Sequence, residues 1–206
     1  MIFNYTYNCQ FTTRLAINDQ PIEVINSTKL LGTILTNNLS WDLNTATIVK
    51  KANARMQLLR KVASFGTSLY ELKDIYILYI RSLLEQSATV WHSSLTEENR
   101  TDLERIQKSA LRIILGDKYQ TYAKALEICE LETLDLRRKN LCLSFAIKAS
   151  KNQKFRHLFP RTEKSHKMDT RHAEQFEVQH ASTARLQCST IIFMQNLLNE
   201  HNKLKS

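Results

Sequence analysis

Glycine and proline are scarce in this chain, with three glycines and two prolines among 206 residues. Because glycine-rich phosphate loops and the tight turns of β-sandwiches depend on glycine, the shortage argues against both and favours helices. Apolar runs are also short, far below the roughly 20 residues that cross a bilayer. No charged and then apolar leader with a small-residue cleavage site opens the chain. We therefore expect an intracellular protein, nuclear or cytoplasmic, that is not secreted and has no membrane partner.

Cysteine and histidine do not occur at metal-binding spacings. None of the four cysteines forms a CxxC pair (Cys9, Cys129, Cys142 and Cys188). Four histidines of the basic C-terminal region lie near Cys188 but have neither zinc-finger nor HExxH spacing (His157, His166, His172 and His180). We therefore predict no metal site and no cofactor, and we expect the cysteines to be reduced, buried thiols.

Adjacent aspartates are missing from the whole sequence. Phosphoryl transfer often uses two metal ions held by carboxylates, and the sequence has neither adjacent aspartates nor an endonuclease-like cluster of acidic residues and histidine. A two-metal site built from Asp19, Asp42 and Asp74 is the weaker alternative. We therefore predict no catalytic residue in this chain.

Positive charge is in excess and is unevenly distributed. The formal net charge is +9; residues 1–40 are neutral, residues 41–100 and 101–150 each carry +2, and residues 151–206 carry +5. A polyanionic partner is one interpretation. An ordinary basic surface in contact with solvent is the other, and charge alone leaves both open.

The first 35 residues have the pattern of short strands. Phe11–Ile17 and Pro21–Ile25 flank Asn18-Asp19-Gln20, which predicts a hairpin with a three-residue loop. Lys29–Leu35 is predicted to be a third strand. Gly32 lies inside it, and a glycine within a strand indicates a bulge or the close approach of another backbone. The next turn is predicted at Asn37-Asn38, because asparagine tolerates the left-handed region.

From Asp42 onward the apolar period is helical. The first helix is predicted from an apolar stripe at spacings of three and four (Val49, Ala52, Met56, Leu59 and Ala63). A second helix is predicted from Leu69 to about Trp91, and a third from near Thr96 or Thr101. Two capping boxes fit the third helix, Thr101 with Glu104 and Ser94 with Glu97. Shorter helices are predicted near Tyr122–Cys129 and Thr133–Ser150, and a strand followed by a helix over Phe176–Asn199.

Aromatic residues at element ends have two interpretations. Trp41 and Trp91 could each stack on a base, but a plug at the edge of the core is the stronger prediction. Tyr76 and Tyr79 are predicted to be core residues.

The basic, polar stretch Lys151–Met168 contains Pro160 and is predicted to be a linker or loop.

Three basic clusters have spacings that could follow phosphates. They are Lys50, Lys51, Arg55, Arg60 and Lys61; Arg105, Lys108 and Arg112 at i, i+3 and i+7; and Arg137-Arg138-Lys139. Each phosphate that such a residue neutralises adds to the salt dependence of binding. The alternative is a set of solvated helix faces, with Glu104 and Lys108 forming an i,i+4 ion pair.

Several long segments, in fixed order, resemble the reverse transcriptases of non-LTR retrotransposons. KLLGTILTNNLSWDLN, at residues 29–44, resembles the primer-grip segment that follows the catalytic core. Three later segments resemble the thumb, and others resemble the strand after the active-site hairpin and the end of the reading frame. The thumb segments are Ile80–Leu95, Asp102–Leu115 and Leu131–Ala146; the outer two are Met1–Asn4 and Thr183–Asn199.

The resemblance implies an α+β, predominantly α fold, with a small N-terminal antiparallel sheet followed by a helical thumb-like bundle. Residues 1–40 would be the end of the palm with the primer-grip strand, 41–150 the thumb-like domain, and 151–206 a basic linker and tail. The expected partners are an RNA or DNA template–primer and the palm domain of an intact element. The candidate nucleic-acid-binding residues are Lys29, Gly32, Lys50, Lys51, Arg55, Arg60, Lys61, Arg105, Lys108, Arg112, Arg137 and Arg138.

The function expected from the resemblance is nonspecific binding of the template–primer backbone by a truncated retrotransposon fragment without its own catalytic aspartates. One alternative is part of an active RNA-directed DNA polymerase whose palm is encoded upstream. Another is a helical protein-interaction module. The strand and helix around KLLG also weakly resemble an N-terminal segment of AlkB-type dioxygenase/tRNA methyltransferase proteins, but the HxD…H iron triad of that chemistry is missing.

Overall fold

The computed structural model describes residues 16–23, 25–161 and 175–204. Within these ranges the chain is predominantly helical, and short antiparallel strands near its N-terminus precede the helices, which confirms the expected fold class. The strand predicted at Met1–Asn4, Cys9, most of Phe11–Ile17, and His166 and His172 of the C-terminal region lie outside the described residues. No helix in the described part of the chain has the length and apolar character of a membrane-spanning segment.

The first hairpin has a shorter loop than the sequence predicts. Strands β1 (Ala16–Ile17) and β2 (Gln20–Pro21) pair antiparallel with Ile17 opposite Gln20, so the turn is only Asn18-Asp19. Both turn residues have positive φ, 49° and 61°, the conformation of a two-residue hairpin turn that twists with its strands. The predicted three-residue loop is wrong because Gln20 already belongs to the ladder.

The segment predicted as one strand over Lys29–Leu35 is a second hairpin, so that prediction is wrong. Strands β3 (Ser27–Leu30) and β4 (Thr33–Thr36) pair antiparallel and leave Leu31-Gly32 as the turn. Leu31 and Gly32 have φ of 48° and 88°, and only glycine adopts that second value without strain. Gly32 therefore marks a chain reversal and not a bulge.

The turn after β4 places a leucine, and neither asparagine, in the left-handed region. Leu39 has φ of 52°, and its amide donates to the Thr36 carbonyl at 3.0 Å. The Asn38 side chain stabilises the turn in another way, because its Oδ1 accepts from the Thr36 hydroxyl at 2.8 Å and from the Ser40 amide at 3.0 Å. The position of the turn was correctly predicted, but its geometry was not.

Helix α1 spans Asp42–Ser64 and confirms the predicted apolar stripe. Ala52, Met56 and Leu59 are fully buried, and Val49 and Ala63 lie half-buried at the edge of the same core. Trp41 precedes the helix and is buried, as the plug interpretation predicts. The helix packs mainly against α5, which spans Glu97–Leu115.

The second predicted helix is interrupted before Trp91. It consists of α2 (Leu69–Ile75), a π-helical segment (Tyr76–Arg81) and α3 (Ser82–Glu85); α4 (Ala88–Trp91) follows after a break. Ser87 lies in the break with φ of 54°. The buried Trp91 indole donates to the Gln86 carbonyl at 3.0 Å. In a continuous helix that carbonyl would accept a backbone hydrogen bond from the next turn, so the break makes it available to Trp91.

Helix α5 begins at neither of the predicted capping boxes. Thr96 is its N-cap, and the Thr96 hydroxyl accepts from the Asn99 amide at 3.2 Å. Thr101 lies inside the helix and donates to the Glu97 carbonyl at 2.8 Å. Ser94 donates to the Cys188 carbonyl at 2.8 Å. The start near Thr96 is confirmed, and both capping boxes are wrong.

Helices α6 (Tyr122–Cys129) and α7 (Leu134–Lys151) match their predicted limits closely. The single helix predicted within Phe176–Asn199 is two helices, α8 (Ala184–Gln187) and α9 (Thr190–Lys203). The strand predicted at Phe176 is reduced to a single bridge with Arg161. Cys129 and Cys142 are buried, as predicted, whereas Cys188 is exposed and contradicts the prediction for the cysteines.

Two hydrophobic cores organise the helices. The first contains α1 to α6 and the beginning of α7. The second joins the later turns of α7 to Phe159, Phe176 and three residues of α9 (Met194, Leu197 and Leu198). Residues of the predicted tail, 151–206, therefore complete a core that begins in the predicted thumb-like domain.

Candidate nucleic-acid interface

The outer face of α1 carries cations with no acidic residue between them. From Leu43 to Tyr70 the sequence has five Lys or Arg and no Asp or Glu. The side chains of Lys50, Lys51, Arg60 and Lys61 are exposed, and among the described residues no carboxylate lies within ion-pair distance of any of the four. We call these four residues the α1 basic face. They are available to a polyanion.

Arg55 belongs to the same helix but is held against the protein. Its guanidinium carbon lies 4.5 Å from the centroid of the Tyr79 ring, and its Nη1 donates to the Tyr79 carbonyl at 2.5 Å. Tyr79 is 43% exposed, so its prediction as a core residue is wrong, whereas Tyr76 is fully buried as predicted. Tyr79 lies in the π-helical segment and acts as the platform for Arg55.

The three cations of α5 share a helix face, but each has a partner within the chain. Arg105 Nη1 lies 2.6 Å from Asp102 Oδ1. Lys108 Nζ lies 5.0 Å from the centroid of the Tyr122 ring, and the guanidinium carbon of Arg112 lies 5.3 Å from that of Tyr119. Cation–π contacts of this kind stabilise a cation by about 0.5–1 kcal/mol at exposed sites. A phosphate that binds these cations would have to share them with Asp102 and the two tyrosine rings or displace those partners.

Glu104 does not pair with Lys108, contrary to the i,i+4 alternative. Its carboxylate accepts from the Tyr122 hydroxyl and, at 3.2 Å, from the Leu134 amide. The hydrogen bond to Glu104 and burial together raise the pKa of Tyr122, burial being the larger cause. The Glu104 carboxylate is thus bound to the first residue of α7, and Lys108 remains over the Tyr122 ring.

The groove between the first turns of α1 and α5 is acidic. It encloses about 600 Å³ and is lined by Asp42, Glu98 and Asp102 with one cation, Lys50, and no arginine. Three carboxylates weaken the attraction of Lys50 for a phosphate on the groove side of α1. The α1 basic face and the α5 cations therefore do not merge into one phosphate track here.

The cations of the third cluster are either paired with a carboxylate or buried. Arg137 Nε lies 3.2 Å from Glu85, and Lys139 lies 3.3 Å from Glu200. Arg138 is fully buried: its guanidinium carbon lies 5.8 Å from the centroid of the Trp91 ring, and its Nε donates to His92 Nδ1 at 3.4 Å. A guanidinium without exposed surface cannot reach a phosphate, so the assignment of Arg138 to the interface is wrong.

The β3–β4 hairpin is fastened to the beginning of α1. The Ile34 amide donates to Asn44 Oδ1 at 3.0 Å, and Asn44 is buried in the first turns of the helix. Lys29 is exposed on β3, and Leu31 at the tip is 90% exposed. Gly32 contributes no side chain, but Gln86 lies against it, since a Cβ at residue 32 would come within 2.5 Å of Gln86 Nε2.

The aspartates of the alternative metal site are on separate elements. Asp19 lies in the first hairpin turn, Asp42 begins α1, and Asp74 lies in α2. Hydrogen bonds from Ser40 and then Asn99 lower the pKa of Asp42. No group of three or more His, Cys, Asp or Glu residues within 16–23, 25–161 and 175–204 has the arrangement to hold a metal ion.

Sequence reasoning missed the tyrosines that hold the cations. Tyr79 and Tyr122 lie in other helices than the cations they contact, and Tyr119 lies in the loop after α5. Helical i,i+3 or i,i+4 spacing could therefore not have revealed these pairs. Sequence reasoning also missed the acidic lining of the α1–α5 groove. The ion pair between Asp102 and Arg105, by contrast, had a local signal, because the two residues are three apart on one helix.

Comparison with known proteins gave no match to a family model, a curated protein or a solved structure.

Proposed function

We propose that this chain binds the sugar–phosphate backbone of an RNA or DNA template–primer without sequence preference, as a thumb-like part of a non-LTR retrotransposon reverse transcriptase. The observation that carries the proposal is the α1 basic face: four exposed cations, without carboxylate partners in the described part of the chain, on a helix that has no acid after Asp42. Phosphate contacts of this type supply affinity and position but carry no sequence information.

The dimensions of the basic face suit a nucleic-acid strand. Lys50-Lys51 and Arg60-Lys61 are separated by ten residues of helix, which is roughly 15 Å. That distance corresponds to about four base-pair steps at roughly 3.4 Å each. Two pairs of cations at this separation could neutralise phosphates at both ends of a short stretch of backbone.

The hairpin extends the proposed surface. Asn44 holds β4 at the N-terminal end of α1, so Lys29 and the Leu31-Gly32 tip belong to the same unit as the basic face. In the resembled enzymes the corresponding segment grips the primer. The proposal therefore gives α1 the larger part of the electrostatic affinity and the hairpin a secondary contact.

The affinity of the chain for an RNA–DNA hybrid, measured at several salt concentrations, tests the proposal. Four phosphate contacts would give a slope of log K against log salt of about −3 to −4. Replacement of Lys50, Lys51, Arg60 and Lys61 by Gln together is expected to remove most of that slope. Lys118→Gln with Lys124→Gln removes two exposed cations elsewhere and serves as the control that leaves the slope nearly unchanged.

Two results would contradict the proposal. One is the absence of hybrid binding by the unmodified chain at low salt. The other is an equal loss per removed charge in the α1 and control variants, which would indicate general attraction by a basic protein. Circular dichroism of each variant must show unchanged helicity for either comparison to count.

A further inference from the structure

A cationic cleft lies away from α1, where the end of α7 meets the 3-10 turn Arg156–Leu158 and the Arg161–Phe176 bridge. The cleft encloses about 750 Å³, within the range of roughly 300–1,000 Å³ that small-molecule sites occupy. Its polar lining comes mainly from Lys151, Arg156, His157 and Arg161. Among the described residues that line it, none is acidic.

The floor of the cleft is apolar and belongs to the second core. Phe159 and Phe176 are buried, and their rings meet edge to face with centroids 6.4 Å apart. The Glu177 amide donates to the Pro160 carbonyl at 2.8 Å and closes the bridge. Because the buried rings keep water from the floor side of the cleft, the charges of the cations are screened less on that side than in open solvent.

The cations are held by three separate pieces of backbone. Lys151 ends α7, where the helix carbonyls offset part of its charge. Arg156 and His157 are exposed on the 3-10 turn. The guanidinium carbon of Arg161 lies 5.6 Å from the centroid of the Phe176 ring, so this side chain rests on the floor. Like charges are gathered here, and no carboxylate of the described residues pairs with them. Such an arrangement favours an anion from outside the chain.

We propose that this cleft binds the phosphate groups of a ligand that carries two or more of them. Arginine presents a planar fork of donors that matches phosphate oxygens in pairs, and Arg156 and Arg161 provide two such forks in one cleft. The ligand can be a free polyphosphate compound or the phosphorylated end of a nucleic-acid strand. The site shares no residue with the α1 basic face and does not depend on the function proposed for it.

Calorimetric titration of the full chain with pyrophosphate tests the site. Binding in the millimolar range or tighter is expected. Arg156→Gln should weaken it by at least about tenfold, since charge-assisted hydrogen bonds would be lost. Lys154→Gln is the matched control, because Lys154 is an exposed cation two residues away that does not line the cleft, and it should change the affinity by less than about twofold.

Absence of pyrophosphate binding at millimolar concentrations overturns the proposal, and so does an equal effect of the two substitutions. His157→Gln provides a second variant on the exposed turn. It should weaken binding less than Arg156→Gln, because a histidine offers a single ring donor in place of the arginine fork.

The source of the phosphate is decided by competition. A short DNA strand with a 5′-triphosphate should displace pyrophosphate better than the same strand without phosphate if the natural ligand is a strand end. Equal displacement by the two strands, with tight binding of pyrophosphate itself, assigns the site to a free polyphosphate. Substitution of the four cations of the α1 basic face should leave pyrophosphate affinity unchanged, so failure at one site is distinguishable from failure at the other.

Discussion

The hydroxyl of Tyr76 donates a hydrogen bond of 2.6 Å to Oε1 of Gln107, and both side chains are fully buried. The amide nitrogen of Gln107 donates in turn to the Tyr122 hydroxyl at 2.9 Å and to the Glu132 carbonyl at 2.8 Å. One amide thus joins the π-helical segment, α5, α6 and the loop before α7. Burial raises the pKa of Tyr76 well above its ordinary value, so the hydroxyl remains a donor at any physiological pH.

Tyr76→Phe should destabilise the fold by about 1–2 kcal/mol, because Gln107 Oε1 would be left buried without a donor. The free energy of unfolding from urea denaturation measures this loss. Tyr70→Phe removes the same atom from a side chain that is 74% exposed and is expected to change stability by less than about 0.5 kcal/mol. Equal effects of the two substitutions would mean that the buried hydrogen bond contributes nothing.

His92 makes stability depend on pH. Burial, with the nearby Arg138 guanidinium as the second cause, lowers the pKa of His92 to about 4. Asp135 opposes this shift, and Arg100 and Lys139 add to it. The unfolded chain binds a proton at this histidine below about pH 6.5, whereas the folded chain does not until about pH 4. The folded state therefore loses stability as the pH falls through that window.

Urea denaturation at pH 7 and pH 5 should show the unfolding free energy falling by about 2 kcal/mol from His92 alone. His92→Gln keeps a polar side chain without this titration and serves as the control, because carboxylates contribute equally to both proteins. Each protein loses some unfolding free energy between pH 7 and pH 5. The loss in the unmodified protein minus the loss in His92→Gln is the contribution of His92. No such difference would show that His92 is protonated in the folded state as readily as in the unfolded one.

The helices were predictable from sequence because their signals are local. The stripe at Ala52, Met56 and Leu59 defines α1 by its period alone, and the helix predicted near Thr133–Ser150 is α7, with Thr133 as its N-cap. The strands were not predictable in the same way. Lys29–Leu35 has the composition of one strand, and only the backbone shows that a leucine, Leu31, occupies a left-handed position that sequence rules reserve for glycine, asparagine or aspartate.

The candidate site was only partly predictable, since charge patterns do not show where a charge points. Lys50 and Lys61 are exposed as the pattern indicates. Arg138 lies in an equally basic run but faces inward against Trp91 and His92. Its position in α7, four residues after the buried Leu134 and four before the buried Cys142, is the signal that could have identified it as an inward residue.

Gly32 and Gly66 offer a matched test of the hairpin turn. Both have positive φ, 88° and 78°, so an alanine at either position should cost about 1 kcal/mol in backbone strain. A Cβ at Gly32 would also meet Gln86 Nε2, whereas nothing in the described part of the chain lies within 4 Å of a Cβ at Gly66. Because the Gln86 side chain can turn away, Gly32→Ala should cost only slightly more than Gly66→Ala.

The matched test is read from urea denaturation of both alanine variants, with Gln86→Ala added to each. Gln86→Ala should abolish the small extra loss of stability in Gly32→Ala. It should leave the loss in Gly66→Ala unchanged. A loss at Gly32 several times larger than at Gly66 would contradict the view that Gln86 can move aside.

Arg138→Met should change stability by no more than about 2 kcal/mol in either direction, because loss of the donor to His92 Nδ1 opposes the relief of guanidinium burial. The Nη1 and Nη2 atoms of Arg138 have no hydrogen-bond partner among the described residues, and its nearest carboxylate, Asp135, is 4.0 Å away and is already paired with Arg100. The burial cost of the guanidinium is therefore poorly offset, and a methionine of similar length removes it. A loss above about 3 kcal/mol, measured by urea denaturation, would show that the guanidinium stabilises the junction of α4 and α7.

The two basic helices should differ in their contribution to hybrid binding. Lys61 on α1 has no carboxylate partner in the described part of the chain, whereas Arg105 on α5 lies 2.6 Å from Asp102. A phosphate gains less from a cation whose charge is already partly compensated. Lys61→Gln should therefore reduce the salt slope of hybrid binding by nearly one contact, about 0.9, and Arg105→Gln by clearly less. Asp102→Asn completes the comparison: it frees Arg105 and should strengthen binding at low salt. Weaker binding after Asp102→Asn would mean that Asp102 positions Arg105 for the phosphate and does not compete with it.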